Sequence, residues 1–125
     1  MPCPTDATSC RIILMNPVVI VHFLAALVAI VAALPLIKGT VKMNRWYGVR
    51  IPAAFESEAR WYEINRHGGR LLLIWGAVIA VTALVGAILP RGSWIAYDFA
   101  SLAVITIGLA VVLVRIYRHA GSVRK

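Results

Sequence analysis

Three long apolar stretches, separated by one long polar segment and one short one, organise this chain. The first, Val18–Ile37, runs for twenty positions with His22 as its one polar side chain and Pro35 near its end. Twenty helical residues rise about 30 Å, the thickness of a bilayer's hydrocarbon core. The second, Leu71–Leu89, has Thr82 as its only polar member. The third, Phe99–Val114, is extended outward by Ile95 and Tyr97. Its Ser101 and Thr106 hydroxyls return hydrogen bonds to the helix backbone, so lipid tolerates them. The pattern predicts an all-α integral membrane domain covering 1–125. Its three transmembrane helices fall at 17–37, 71–89 and 95–115, with a flexible tail over 1–16 and a basic tail over 116–125.

Small residues recur four apart within the spans: Ala25, Ala29 and Ala33 in the first, and Gly76/Ala80 and Ala83/Ala87 in the second. Such spacing lets helix backbones approach closely in lipid and points to the inward faces. Pro35 has no N–H for the carbonyl four residues back, which predicts a kink or an early helix end.

Between the first two spans lies Lys38–Arg70, which holds seven of the thirteen basic residues and three of the five acids. Lys38–Ala54 contains Gly39, Gly48 and Pro52 without helical periodicity, and reads as an irregular or hairpin-like turn at the membrane surface. From Phe55 the pattern changes. Ser57 is a good N-cap, and Glu58 falls in the first turn, where the helix dipole favours an acid. A short cytoplasmic helix is expected over about 57–67, with Arg60 and Glu63 pairing at i,i+3. Gly68-Gly69 either caps it or forms a kink through which it continues into the second span. The kink is preferred, because Arg70 and Leu71 follow without turn residues.

Composition agrees with a membrane protein. The chain is 61% hydrophobic and 14% charged, against about 25% charged in soluble domains. The formal charge of +8 is segregated between apolar runs rather than spread along an amphipathic face, which argues against a nucleic-acid partner. Lys and Arg number seven in the first loop and four in the C-terminal tail, against Arg11 before the first span and Arg91 in the second loop. The positive-inside rule then predicts a cytoplasmic first loop and C-terminus, with the N-terminus outside. Trp94 and Tyr97 suit the outer interface, and Trp46 and Tyr117 the inner one. The first apolar run exceeds a signal-peptide core and lacks an A-x-A-like cleavage site, so it reads as an anchor.

Two readings of residues 1–14 stand side by side: a short flexible tail, or a segment upstream of a translation start at Met15. Cys3 and Cys10 form no CxxC or Cys/His spacing, which disfavours zinc, and a disulfide in so flexible a segment is disfavoured too. Glu63 and His67, at i,i+4, are two metal ligands without a third and read as a solvated surface pair. His22 reads as a neutral histidine bonded to a neighbouring helix, and Asp98 as an interfacial acid close in sequence to Arg91. No nucleophile–base set, P-loop, Rossmann fingerprint or HExxH occurs. The chain is therefore not read as an enzyme, and no cofactor is read.

The loop carries a recognisable constellation: Asn44-x3-Gly48-Val49-Arg50-Ile51-Pro52, then Ser57-Glu58-x2-Trp61-x3-Asn65-Arg66-x2-Gly69. Over about Lys42–Gly76 it resembles the signature of the SdpI family, bacterial multi-pass membrane proteins named for the immunity protein of a sporulation-delay toxin. Ile51 stands where that signature often has Thr, and the immunity protein itself is longer than this chain. The resemblance implies immunity to, or sensing of, a membrane-active peptide toxin, with relay to a cytoplasmic regulator. It marks Asn44, Gly48, Arg50, Pro52, Ser57, Glu58, Trp61, Asn65 and Gly69 as the signature positions.

Physically, an Arg50–Glu58 pair would lock the turn onto the short helix. Asn44 and Asn65 would satisfy backbone groups of a non-helical segment, and Trp61 would anchor at the interface. A structural clamp is preferred to direct ligand contact. The alternatives are an oligomeric transport component, since three helices are few for a pathway, and a membrane-bound enzyme acting on a lipid head group.

Overall fold

The computed structural model describes residues 16–122. The tail with Cys3, Cys10 and the candidate start at Met15 lies outside the described residues. Three helices carry the fold: α1 (Pro17–Lys38), α2 (Glu58–Ile88) and α3 (Trp94–Ser122). All three are long and apolar enough to cross a membrane, and no strand occurs among the described residues.

α1 starts where Asn16 caps it, its side-chain oxygen accepting from Val18 N–H at 2.9 Å, with Pro17 in the first turn. Pro35 sits inside the helix, which closes at Lys38 on a left-handed Gly39 (φ 67°). The Gly39 N–H bonds back to the carbonyls of Leu36 and Pro35, meeting acceptors that a helix end leaves open. α2 starts at Ser57, whose hydroxyl accepts from Arg60 N–H at 3.2 Å. The helix is continuous through Gly68-Gly69. Residues 57–67 are thus no separate short helix; they cap and open the second spanning helix. The only helical turn within the loop itself is a single 3-10 turn, Pro52–Phe55.

α2 is the element against which both others pack. The α1 seam is Val19, His22, Ala26, Ala29, Ala33 and Leu36, and the α2 seam includes Gly69, Gly76, Ile79, Ala83 and Gly86. Steps alternate between three and four, as the 3.6-residue repeat demands. A strict spacing of four drifts off the contact face, so Ala25 and Ala87 are exposed while Ala26 and Gly86 are buried. Val21, Leu24, Val28 and Val31 of α1 point away from the bundle and are exposed, as are Phe99, Leu102 and Ile107 of α3. In a bilayer, lipid chains cover those faces.

α3 follows a 3-10 turn at Arg91–Ser93 and meets the bundle mainly at its two ends. Its buried residues are Tyr97 and Ser101 at one end and Ile116 and Ala120 at the other. Tyr97 packs into the bundle. Its ring fills the space over Gly86, and its hydroxyl donates to the Thr82 carbonyl at 3.2 Å. Asp98 accepts from Asn16 Nδ2 at 2.8 Å, while Arg91 lies over the Trp94 ring instead. His22 packs beside Tyr97, but its Nδ1 bonds the Val18 carbonyl of its own helix, because that carbonyl lies one turn below the ring.

Candidate functional site

The signature residues converge at the end of the bundle that carries the long loop, where a second small core forms outside the apolar spans. Ala54, Trp61, Ile64 and Ala120 are buried at its centre, with Val41, Met43, Val49, Ile51, Ala53 and Tyr62 packed around them. The loop, the first turns of α2 and the last turns of α3 each contribute.

Trp61 is the hub. It is 0% exposed, and its indole N–H donates to the Val41 carbonyl at 2.9 Å. It also packs its ring against Phe55 at 5.3 Å between centroids. This differs from the membrane-interface anchor expected from sequence. The loop folds back over this face of α2 and takes the ring into its own core.

Asn65 lies one turn further along. Its Oδ1 accepts from Val49 N–H at 2.6 Å, and its Nδ2 donates to the Trp61 carbonyl at 2.9 Å. Gly48 meets both residues. Its φ of 112° is a conformation glycine adopts at little cost, and a Cβ there would overlap Asn65 Oδ1. Asn44 organises the preceding turn from within. Its Oδ1 accepts from Trp46 and Tyr47 N–H, both at 2.8 Å, and its Nδ2 donates to the Lys42 carbonyl at 2.8 Å. The Tyr47 hydroxyl donates to the Ala32 carbonyl and ties the loop to α1. Pro52 opens the 3-10 turn that delivers Ala54 to the core.

Asn65→Ala is expected to cost about 2–4 kcal/mol, because the part-buried Val49 N–H loses its acceptor and a cavity remains where the buried Asn65 side chain was. Hydrogen exchange at Val49 checks it. Protection should fall there while the spanning helices stay protected.

Two expected ion pairs are not formed. Arg50 donates to the Arg45 carbonyl rather than to Glu58, which lies exposed in the first turn of α2. Arg60 pairs with Glu56, one turn earlier, because Glu56 ends the loop beside it. Glu63 therefore faces elsewhere. Its Oε1 is 3.7 Å from His119 Nε2 of α3, and His67 stacks on His119 with ring centroids 4.0 Å apart and planes at 16°. His67 is thus no solvated partner of Glu63. Burial, and then the charges of His119, Arg70 and Arg115, hold it below the ordinary histidine range. His119 was missed in the sequence because it lies more than fifty positions from His67; only the return of α3 brings them together.

What the loop leaves outside is as specific as what it buries. Trp46 is 90% exposed, and Arg45, Arg50 and Phe55 line an open pocket of about 590 Å³. Among the described residues, no three His, Cys, Asp or Glu side chains are arranged to hold a metal ion.

A family model described as the SdpI/YfhL protein family matches residues 40–118. That range takes in the loop core, α2 and most of α3. No curated protein and no solved structure matches the chain.

Proposed function

The chain belongs to the SdpI/YfhL protein family, and from that membership we propose a small multi-pass protein of the bacterial inner membrane that gives resistance to, or senses, a membrane-active peptide. Its basic loop then relays the peptide's presence to a cytoplasmic regulator. The charge balance supports this orientation: eleven Lys and Arg in the first loop and C-terminal tail against two on the other side.

The observation that carries the reading is the exposed Trp46, flanked by Arg45 and Arg50 on a loop held from beneath by Asn44, Gly48, Trp61 and Asn65. Trp and Arg are the residue types most often responsible for binding energy at interfaces. A loop already held in place also loses little conformational entropy on binding. In this reading Asn44, Gly48, Pro52, Ser57, Trp61, Asn65 and Gly69 frame the loop, Glu58 favours the start of α2, and Arg50 with Trp46 meets the partner.

The test separates framing from contact. Arg50→Ala and Trp46→Ala should leave protein level and thermal unfolding unchanged, because both side chains are exposed. Each should lower resistance to the membrane-active peptide, or expression of the regulated gene, by about tenfold, as loss of an interface hot spot does. Full resistance in both variants would remove the loop from the function. A C-terminal reporter active only outside the cytoplasm would overturn the orientation.

A further inference from the structure

Beside the loop core, on the face where α2 and α3 meet, lies a pocket of about 390 Å³ lined by Glu63, Arg66, His67, Arg70 and His119. Its charge is unbalanced. Among the described residues the ion pairs are Arg60–Glu56 and His119–Glu63, so Arg66 and Arg70 in the wall, and Arg115 beside His67, have no acidic partner. His119 Nε2 is buried without a hydrogen bond, its nearest acid at 3.7 Å.

Metal binding fits this poorly. The two imidazoles are stacked face to face at 4.0 Å, so their ring nitrogens do not converge on one point. The surrounding arginines would also repel a cation. The arrangement suits an anion instead. Guanidinium groups match the oxygens of a phosphate, and the unpartnered His119 Nε2 can donate to one in the tautomer that carries its hydrogen there.

We propose that the pocket binds a phosphate group, held by Arg70 of α2 and His119 of α3, with Arg66, whose guanidinium lies against Gly39, adding positive charge from the wall. The place of the pocket along α2 favours a phosphodiester headgroup. Arg70 immediately precedes the apolar run Leu71–Leu89, so the pocket opens where that run meets the headgroup layer. The site stands whichever side of the membrane the loop occupies, and it is independent of the peptide-resistance reading. Binding is proton-linked. Burial, and then the charges of His119, Arg70 and Arg115, hold His67 below the ordinary histidine range; an anion among the arginines offsets those charges, so His67 takes up a proton as the ligand arrives. The charged groups facing the ring pair are Glu63, Arg66 and Arg70 from α2 and Arg115 from α3. Among the described residues lining the pocket, Glu63 is the acid that opposes the anion.

Calorimetric titration of the full-length protein in non-ionic detergent tests this, with inorganic phosphate and short-chain phosphatidylglycerol as the two probes. The diester's charge is constant between about pH 6 and pH 8, so any gain in its affinity on acidification comes from the protein's histidines. The expected result is binding at least about fivefold tighter at the lower pH. Arg70→Gln and His119→Gln should each weaken it about tenfold, as loss of one charge-assisted contact does. Binding of both probes would mean that a free phosphate suffices, and binding of phosphatidylglycerol alone would identify a lipid headgroup. Arg70 is exposed, so Arg70→Gln should melt like the wild type and keeps the test valid if His119→Gln disturbs packing. Failure of both probes to bind, an affinity independent of pH, or undiminished binding by a folded Arg70→Gln protein would overturn the proposal.

Discussion

Trp61→Ala is expected to open the loop while leaving the three spanning helices in place. The indole is wholly buried among Ala54, Ile64 and Ala120, and its N–H is the partner of the Val41 carbonyl. Deleting so large a buried side chain costs about 3–5 kcal/mol, partly as lost transfer energy and partly as the cavity left behind. The cost falls on the small core outside the membrane, whereas the spans are held by the lipid and by their internal hydrogen bonds. Trypsin should therefore cut the variant at Lys42, Arg45 or Arg50 under conditions that spare the wild type, with helicity nearly unchanged. Trp61→Phe should be milder, about 1 kcal/mol, because the ring's volume is mostly kept and one hydrogen bond is lost. A Trp61→Ala loop as resistant to trypsin as the wild type would show that the core does not hold it.

Gly69→Val should act within the bundle. A Cβ at Gly69 would stand 2.9 Å from Leu36 Cβ and 3.1 Å from both the Ala33 carbonyl oxygen and Ile37 Cγ1. The oxygen belongs to the α1 backbone and cannot turn aside, so the helices must separate. The association of membrane-spanning helices rests on close packing, which is lost directly. Overpacking of this kind costs about 1–3 kcal/mol for small additions, and the branched side chain should reach the upper end. Thermal unfolding in detergent should show a clear drop in midpoint. Gly92→Val is the control: its Cβ would meet nothing within 4 Å, so its midpoint should match the wild type.

These two residues also show how far the sequence could be read. Trp61 and Asn65 stand out from the chain as part of a spaced constellation, yet the sequence places Trp61 at the membrane surface. Its burial depends on Lys38–Ser57 folding back across α2, and that path is set by contacts with no sequence periodicity: Tyr47 to Ala32, Val49 to Asn65, Val41 to Trp61. Gly68-Gly69 likewise reads as a cap or kink when the chain is taken alone. In the fold the pair lies within continuous helix, where the missing side chains admit Val49 on one side and the α1 backbone on the other. The Arg50–Glu58 and Arg60–Glu63 pairs failed for a related reason. Opposite charges at suitable spacing say only that a pair is reachable, and at an exposed surface each is worth little.

The sequence by itself determined the three apolar helices and the family. Both rest on local information: a run long enough to cross a bilayer, and polar residues at fixed spacing within one loop. A bilayer imposes helix on such a run wherever it occurs, because its backbone groups have no other partners there. The tertiary structure alone decided what the polar residues do. It buried Trp61 and Asn65, left Trp46 and Arg50 outside, and brought His119 from the end of α3 onto His67. Each of those outcomes depends on which distant segment arrives as a neighbour, and the chain's local pattern does not encode that.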